Sequence, residues 1–266
     1  MNQPAEILAT DAADNIQLYE QPLNERMRTF LRLEFLYKQL IYNIERPKTW
    51  ASRAAIASLL DIVAILSRGD IRGDVMKELE RQLFLLERFQ SQDNVDQSQL
   101  NDVTDKLGSL RNDVNEIGPK YLQKLKDDEF LNAIRHRSAI PGGTCAFDLP
   151  DYTHWLRQGF DRRFADMSNW LQPVKPLCDS VAELLWLQRN SRPAEKQLAT
   201  NGVYQHSLEK GNSVTLVRIA IPKDLNLFPE VSGSQHRFTV RFMGWEPGDS
   251  RPVQSHDDTE FMLTIC

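Results

Sequence analysis

The sequence predicts an α+β fold, in which a mostly α-helical domain with long antiparallel helices and an antiparallel β-strand domain are interleaved in sequence. Apolar residues recur at alternating spacings of three and four from Leu23 to about Leu187, which is the stripe of amphipathic helices. From Thr200 onward they alternate with a period of two, and segments rich in Gly, Pro, Asn and Asp separate the alternating runs. The change of period indicates two kinds of structure in one chain.

These patterns determine the predicted domain boundaries. The N-terminus is polar and acidic, and we expect it to be a disordered lead-in. The predicted β-strand domain takes one short run near the N-terminus, another after the middle of the chain, and the C-terminal quarter. The prediction is a lead-in over 1–15, a helical domain over 22–137 and 150–190, and a β-strand domain over 16–20, 144–149 and 200–266.

The first predicted helix begins after Pro22 and ends before Pro47, and a second helix breaks at residues 67–70. Arg28 and Arg32 lie four apart in the first helix, on a face that its apolar stripe does not use. They therefore point outward together. Such a pair is typical of a solvated cationic helix face.

The third and fourth predicted helices form an antiparallel hairpin. The third covers about residues 73–90, and Asp96 provides the N-cap of the fourth, which ends at Gly118 and Pro119. This hairpin can pack within the subunit or pair with a second copy. An apolar stripe of fewer than three heptads is more often an intramolecular core.

A Pro-Gly-Gly turn at residues 141–143 follows a shorter predicted helix over about 127–137. Residues 144–149 are interpreted as a short strand that Pro150 ends. Helical spacing then returns over 152–157 and 164–187.

A pair of arginines on a predicted C-terminal strand is a candidate binding site. Arg237 and Arg241 lie four apart, so they share one face of the strand with Thr239 between them. The intervening apolar side chains then face the core and hold both arginines outward. Two guanidinium groups flanking a small residue form a fork-shaped array of donors suited to a carboxylate.

Other basic residues stand near predicted turns. Arg68 and Arg72 bracket the turn between the second and third helices, where a basic side chain can also satisfy free carbonyl groups at a helix end. Arg135, His136 and Arg137 directly precede the Pro-Gly-Gly turn. All five are further candidates for contact with an acidic partner.

Catalytic, metal and cofactor sites are not predicted. Cys145 follows two glycines and precedes Asp148, which can place a nucleophile on a tight turn. No cysteine-hydrolase signature surrounds it, so a buried structural thiol on a strand is the preferred interpretation. The histidines occur singly, and the glycine pair lacks the lysine and hydroxyl residue of a phosphate loop.

The composition limits which partners and which cellular compartment can be expected for this protein. The chain has 266 residues and a net charge of −5, so it lacks the overall positive field that attracts nucleic acid. Charged residues interrupt every apolar run and the N-terminus resembles no targeting signal, so neither membrane insertion nor secretion is expected. Three widely separated cysteines favour a reducing compartment, and we predict a cytoplasmic protein.

Several motifs in a fixed order make the chain similar to the ZapD family, accessory proteins of bacterial cell division. The similarity covers nearly everything from about Tyr19 to the end of the chain. The motifs are PLNERMRTFLRLEFL at 22–36, RGDIR at 68–72, VDQS at 95–98, IPGG at 140–143, FDLP at 147–150, NGVYQ at 201–205 and RFTVRFM at 237–243.

The resemblance implies a non-catalytic homodimer that binds the C-terminal tail of the tubulin-like GTPase FtsZ and crosslinks FtsZ filaments into bundles at mid-cell. Basic residues are thought to bind the tail in this family, and those in matching motifs are Arg68, Arg237 and Arg241. The other basic candidates given above are Arg28, Arg32, Arg72, Arg135, His136 and Arg137.

Two other classes of function stay open at this point. One is a cysteine-dependent enzyme that uses Cys145, and the other is a passive scaffold whose basic residues only cap helices. The chain departs from the family pattern in its longer acidic lead-in and in the loop 244–257. Neither departure involves the basic motifs.

Overall fold

The computed structural model describes residues 15–89, 96–208, 214–234, 236–245, 248 and 250–266. The chain divides into two compact units. Of the described residues, a β-sheet unit contains those up to 28 together with those from 187 onward, and a helical unit contains those between 29 and 186. The α+β class predicted from the sequence is confirmed. Apart from Asn15, the predicted disordered lead-in lies outside the described residues.

Helices dominate the first two thirds of the chain. Their bounds are α1 Glu25–Ile44, α2 Thr49–Leu66, α3 Ile71–Phe89, α4 Gln97–Glu116, α5 Gln123–Lys126, α6 Glu129–Ser138, α7 Pro150–Leu156, α8 Phe160–Leu171 and α9 Lys175–Arg189.

Local chemistry explains several helix ends. The Asp96 carboxylate caps α4 by accepting hydrogen bonds from the backbone N–H groups of Ser98 and Gln99. The Asp128 carboxylate caps α6 in the same way, accepting from the N–H of Leu131 at 2.9 Å. Pro150 occupies the first turn of α7, where a missing N–H costs nothing.

Helices α3 and α4 form the predicted antiparallel hairpin. The Arg72 side chain, near the start of α3, reaches the carbonyl groups at the end of α4, which only an antiparallel arrangement allows. Val75 and Leu79 are fully buried, but Phe84 and Phe89 are 61% and 43% exposed. The second half of α3 therefore presents aromatic side chains to solvent.

Helix α2 is the one helix in the described part of the chain that is long and apolar enough to cross a membrane. Half of it is buried within the protein, including Ile56, Leu59 and Ile62. A helix at the centre of a helical unit meets the same criterion, so this is weak evidence for a membrane span.

The strand predicted over 144–149 is wrong. Residues 141–148 form consecutive turns, and these residues belong to the helical unit. Several of their backbone groups form local turn hydrogen bonds, from the N–H of Gly143 to the carbonyl of Ile140 and from the N–H of Cys145 to that of Gly142. A run of six residues was too short for its pattern to distinguish a strand from turns.

Two antiparallel sheets form the β-sheet unit. Their strands are β1 Ile16–Pro22, β2 Glu195–Ala199, β3 Val203–Ser207, β4 Leu216–Pro222, β5 Leu227–Gly233, β6 Arg237–Gly244, β7 Val253–Gln254 and β8 Thr259–Ile265. One sheet has the order β1-β4-β8-β2, and the other has the order β3-β6-β5 with β7 paired to β6. The C-terminal strands thus begin at Glu195, before the predicted Thr200.

The two sheets share one apolar core. Val217 and Ile219 from β4 and Leu263 from β8 are buried in one cluster with Phe238 and Phe242 from β6. The rings of Phe242 and Phe261 lie 5.1 Å apart and connect the sheets directly. Because one face of β6 is buried in this core, alternation along the strand places its remaining side chains on the outer face.

Candidate functional site

Strand β6 presents two arginines on one outer face. Arg237 and Arg241 are exposed, whereas Phe238, Val240 and Phe242 are at most 1% exposed. Side chains along β6 therefore alternate between the buried and the exposed face, as predicted from the sequence, and both guanidinium groups project from the same side of the sheet. Buried phenylalanines on the opposite side hold this strand in place.

The neighbouring strands determine what surrounds each arginine. In the antiparallel register, Arg237 lies opposite Ser207 of β3, and Arg241 lies between Val203 of β3 and Glu230 of β5. Side chains of directly paired residues project from the same face. One arginine thus has a hydroxyl neighbour and the other a carboxylate neighbour.

A cavity of about 470 Å³ lies beside Arg237 within the β-sheet unit. Its wall is largely polar, with hydroxyl groups from β3, β5 and β6 and from the turn after β5. Residues that line it include Gln205, Ser207, Ser232, Ser234, Arg237 and Thr239.

Neither arginine has its charge neutralised by a close ion pair. Within the described residues, no carboxylate oxygen lies within 4 Å of the guanidinium nitrogens of Arg237 or Arg241. The fork of N–H donors on each group is therefore available to a partner. A carboxylate can accept two parallel hydrogen bonds from such a fork.

The predicted pair Arg68 and Arg72 separates into two roles. The Arg72 Nε donates to the Val114 carbonyl at 3.1 Å and its Nη2 to the Asn115 carbonyl at 3.3 Å, so Arg72 caps α4. Arg68 is exposed on the turn after α2. Of the two, only Arg68 retains a guanidinium free of this structural use.

A smaller cavity of about 290 Å³ adjoins this turn in the helical unit. Lys120 and Lys126 line it together with Arg72, and Tyr121 forms part of its wall. Burial raises the pKa of Tyr121 to about 12, with the nearby Asp70 carboxylate adding to the effect. The cavity wall therefore carries both basic side chains and the Asp70 carboxylate, and Arg68 lies between two of its lining residues, Ser67 and Gly69.

Arg135, His136 and Arg137 form the exposed last turn of α6. The Arg137 guanidinium lies 3.6 Å from the Asp148 carboxylate, so it partly serves to hold the following turn. A β-carbon at Gly143 would clash with the Arg137 carbonyl oxygen, which explains why this turn requires glycine.

Arg28 and Arg32 lie on α1, on either side of the boundary between the two units. Arg28 pairs with Glu25 at 3.0 Å, and Arg32 is exposed. The predicted basic residues therefore fall in both units. Arg237 and Arg241 are exposed on one face of β6, and no close ion pair with a described residue neutralises either of them.

Cys145 lies on a turn and is half-buried, so the predicted strand position is corrected. Its Sγ is 3.5 Å from a carboxylate oxygen of Asp148. That carboxylate, and not the imidazole that activates a cysteine nucleophile, is its hydrogen-bond partner. The contact gives no support to cysteine catalysis.

Sequence reasoning missed an exposed aromatic pair in the helical unit. Trp50 is 79% exposed and Phe147 is 88% exposed. The Arg53 guanidinium lies 5.5 Å from the Trp50 ring centre and donates to the Thr144 carbonyl at 3.2 Å, so it contacts both Trp50 and the turn that carries Phe147. Periodicity could not distinguish these rings from core residues.

Comparison with known proteins shows the family. The model of the ZapD family, described as a cell division protein, matches residues 31–241. The chain belongs to the ZapD family. Its relatives include the cell division protein ZapD of Methylococcus capsulatus, 38% identical over 249 residues that cover 94% of this chain and 97% of the relative.

A second ZapD, from Chromobacterium violaceum, is 35% identical over 248 residues, which cover 93% of this chain and 98% of that protein. Membership supports a role in cell division. ZapD is a family of cell division proteins and not a known enzyme family. The matched region 31–241 includes both Arg237 and Arg241.

Proposed function

We propose that this ZapD-family chain is a non-catalytic cell-division factor that binds the C-terminal tail of FtsZ through the arginine face of β6. The observation that carries the proposal is the pair of exposed guanidinium groups of Arg237 and Arg241 beside a polar cavity. An acidic tail in an extended conformation has carboxylates that can accept hydrogen bonds from such a fork. Arg68 is proposed as an additional basic contact.

The expected affinity is modest. Each hydrogen bond between a guanidinium and a carboxylate contributes roughly 1.5–3 kcal/mol, and ordering a flexible tail removes part of that gain. A few such contacts give a binding free energy of about −8 kcal/mol, which corresponds to a dissociation constant in the micromolar range. Binding of this strength dissociates readily, which suits a filament array that is remodelled.

Crosslinking requires two tail sites in one assembly, and we propose a homodimer recruited from the cytoplasm to the mid-cell division site. Two weak sites that engage tails on neighbouring filaments gain avidity through effective concentration. The exposed Phe84 and Phe89 on the α3–α4 hairpin offer apolar surface for a second copy. No nucleic acid, cofactor or inserted membrane segment is part of this proposal.

Co-sedimentation with FtsZ polymers tests the arginine face. We expect Arg237→Gln combined with Arg241→Gln to abolish bundling, because the carboxylates lose both donor forks. Lys196→Gln is a matched control, since Lys196 is an exposed strand cation of the same unit on the other sheet. Normal bundling by the double variant, with unchanged circular dichroism, would refute the proposed site.

A second arm of the same assay tests the partner segment. Full-length FtsZ should sediment in bundles with the chain, whereas FtsZ without its C-terminal tail should not. Bundling of tail-less filaments to the same extent would show that another surface of FtsZ is recognised. Cys145→Ser should leave the bundling of full-length FtsZ intact, because no proposed step uses the thiol.

A further inference from the structure

The two arginines of β6 have unequal electrostatic surroundings. Glu230 on β5 is exposed and lies directly opposite Arg241, whereas Arg237 has Ser207 opposite on β3 and the polar cavity at its side. We propose that Glu230 determines the affinity of this site by partly neutralising Arg241, so that a partner carboxylate is held mainly at Arg237. This inference rests on the proposed function.

The sheet register supports a direct electrostatic interaction between Glu230 and Arg241. Directly opposed residues of an antiparallel pair have their β-carbons about 4.5–5.5 Å apart and project from one face. Within the described residues, the two side chains form no ion pair within 4 Å, so both charged groups face solvent. Their attraction is therefore that of an exposed pair, modest and sensitive to salt.

The surroundings of Arg237 favour an incoming carboxylate. Ser207, Ser232 and Ser234 line the adjoining cavity of about 470 Å³, and none of them carries a charge. Hydroxyl groups can donate to a carboxylate oxygen without repelling it. Positive charge, neutral donors and space for a side chain thus coincide at Arg237.

A carboxylate that approaches Arg241 meets the opposite situation. It must replace the attraction of Glu230 for the guanidinium, and it approaches the negative charge of Glu230 itself. A peptide with closely spaced acidic residues is therefore penalised at this end of the site. Glu230 therefore lowers the affinity of the site for an acidic peptide.

The test is the affinity of a fluorescently labelled FtsZ tail peptide, measured by anisotropy at low salt. Glu230→Gln removes the competing charge, and we expect about two- to fivefold tighter binding, as for removal of an exposed charge–charge interaction. Glu260→Gln is the matched control, because Glu260 is an exposed strand glutamate on the other sheet. It makes the same change in net charge and should leave the affinity unchanged.

A double-mutant cycle locates the effect. In an Arg241→Gln background, Glu230→Gln should tighten binding less than it does in the wild type, because the attraction to Arg241 is already absent and only the repulsion of the peptide remains to be removed. Arg237→Gln should weaken binding more than Arg241→Gln. Equal losses for the two arginines, or unchanged or weaker binding by Glu230→Gln, would overturn the inference.

The outcomes separate this inference from the proposal on which it rests. If the wild-type chain does not bind the tail peptide, the proposed function is rejected and this inference with it. If the wild type binds and Arg237→Gln weakens binding, but Glu230→Gln has the affinity of the wild type, the proposed function survives and only the role of Glu230 is rejected.

Discussion

Arg163 is a buried cation whose hydrogen-bond acceptors, among the described residues of the helical unit, are neutral oxygens. Its side chain is nearly inaccessible, with the residue 3% exposed. The guanidinium donates to the Ser52 hydroxyl, to the Pro47 carbonyl at 2.7 Å and to the Gln158 carbonyl at 3.1 Å. Every guanidinium nitrogen has an acceptor, so the group connects α2, the turn before it and the turn before α8.

We predict that Arg163→Ala lowers the free energy of unfolding by about 3 kcal/mol, because it leaves buried acceptors unsatisfied and opens a cavity. Arg162→Ala is the matched control. Arg162 is exposed and pairs with Asp166 on one helix, so its loss should cost about 0.5 kcal/mol. Urea unfolding followed by circular dichroism measures both. Equal stability of the two variants would contradict the role assigned to Arg163.

Tyr37 makes the folded state less stable at alkaline pH. Burial raises the pKa of its phenol, and the hydrogen bond that it donates to the Asp179 carboxylate at 2.6 Å raises this pKa further. Burial likewise raises the pKa of Tyr152 to about 12. The unfolded phenol ionises near pH 10, before the folded one, so stability falls as pH rises above about 10.

We expect Tyr37→Phe to reduce the slope of this alkaline loss, because one raised phenol no longer contributes. At neutral pH the variant should be about 1–2 kcal/mol less stable, since the hydrogen bond to a carboxylate is lost. Thermal unfolding at pH 7 and pH 11 checks both effects. The exposed Tyr42 provides the control Tyr42→Phe, which should change neither quantity appreciably.

At the scale of elements, the start of α3 and the end of α4 are held together by Arg72. A helix leaves its last carbonyl groups without intrahelical partners, and Arg72 satisfies two of them. Arg68 lies four residues earlier, exposed on the turn. In this motif, Arg72 therefore has a structural role, and Arg68 has a proposed binding role.

We predict that Arg72→Ala destabilises the chain by about 1–2 kcal/mol, whereas Arg68→Ala changes stability by less than about 0.5 kcal/mol. If Arg68 contacts FtsZ, Arg68→Ala should instead weaken co-sedimentation. The passive-scaffold alternative predicts full binding by a folded Arg68→Ala variant. Thermal unfolding and co-sedimentation of the same two preparations distinguish these outcomes.

At the scale of the whole molecule, a net charge of −5 coexists with a cationic face on β6. Long-range attraction of an acidic peptide is therefore weak, and the local field of Arg237 and Arg241 must supply the recognition. Exposed charges of this kind are screened within a Debye length, which falls from about 10 Å at 0.1 M salt to about 3 Å at 1 M.

We expect the affinity for the FtsZ tail peptide to fall about tenfold or more between 0.1 M and 1 M NaCl. The Arg237→Gln and Arg241→Gln double variant should show a much smaller dependence, because the screened charges are absent. Titration of both proteins at several salt concentrations is the measurement. Salt-independent binding by the wild type would indicate an apolar contact in place of the arginine face.

Much of the fold was predictable because its signals are local. The three-four rhythm of α1 to α4, the cap at Asp96 and the alternation along β6 each depend on residues a few positions apart. Local periodicity also predicted correctly that Arg237 and Arg241 share a face. Local reasoning failed over 144–149, where a short segment predicted as a strand forms turns.

The sequence by itself determined the α+β class, the family and the pairing of Arg237 with Arg241 on one strand face. Tertiary structure alone decided that Arg72 caps another helix while Arg68 does not, and that Glu230 faces Arg241. The physical reason is distance along the chain. Arg72 and Val114 are 42 residues apart, and contacts of this kind depend on how elements pack, which local periodicity does not encode.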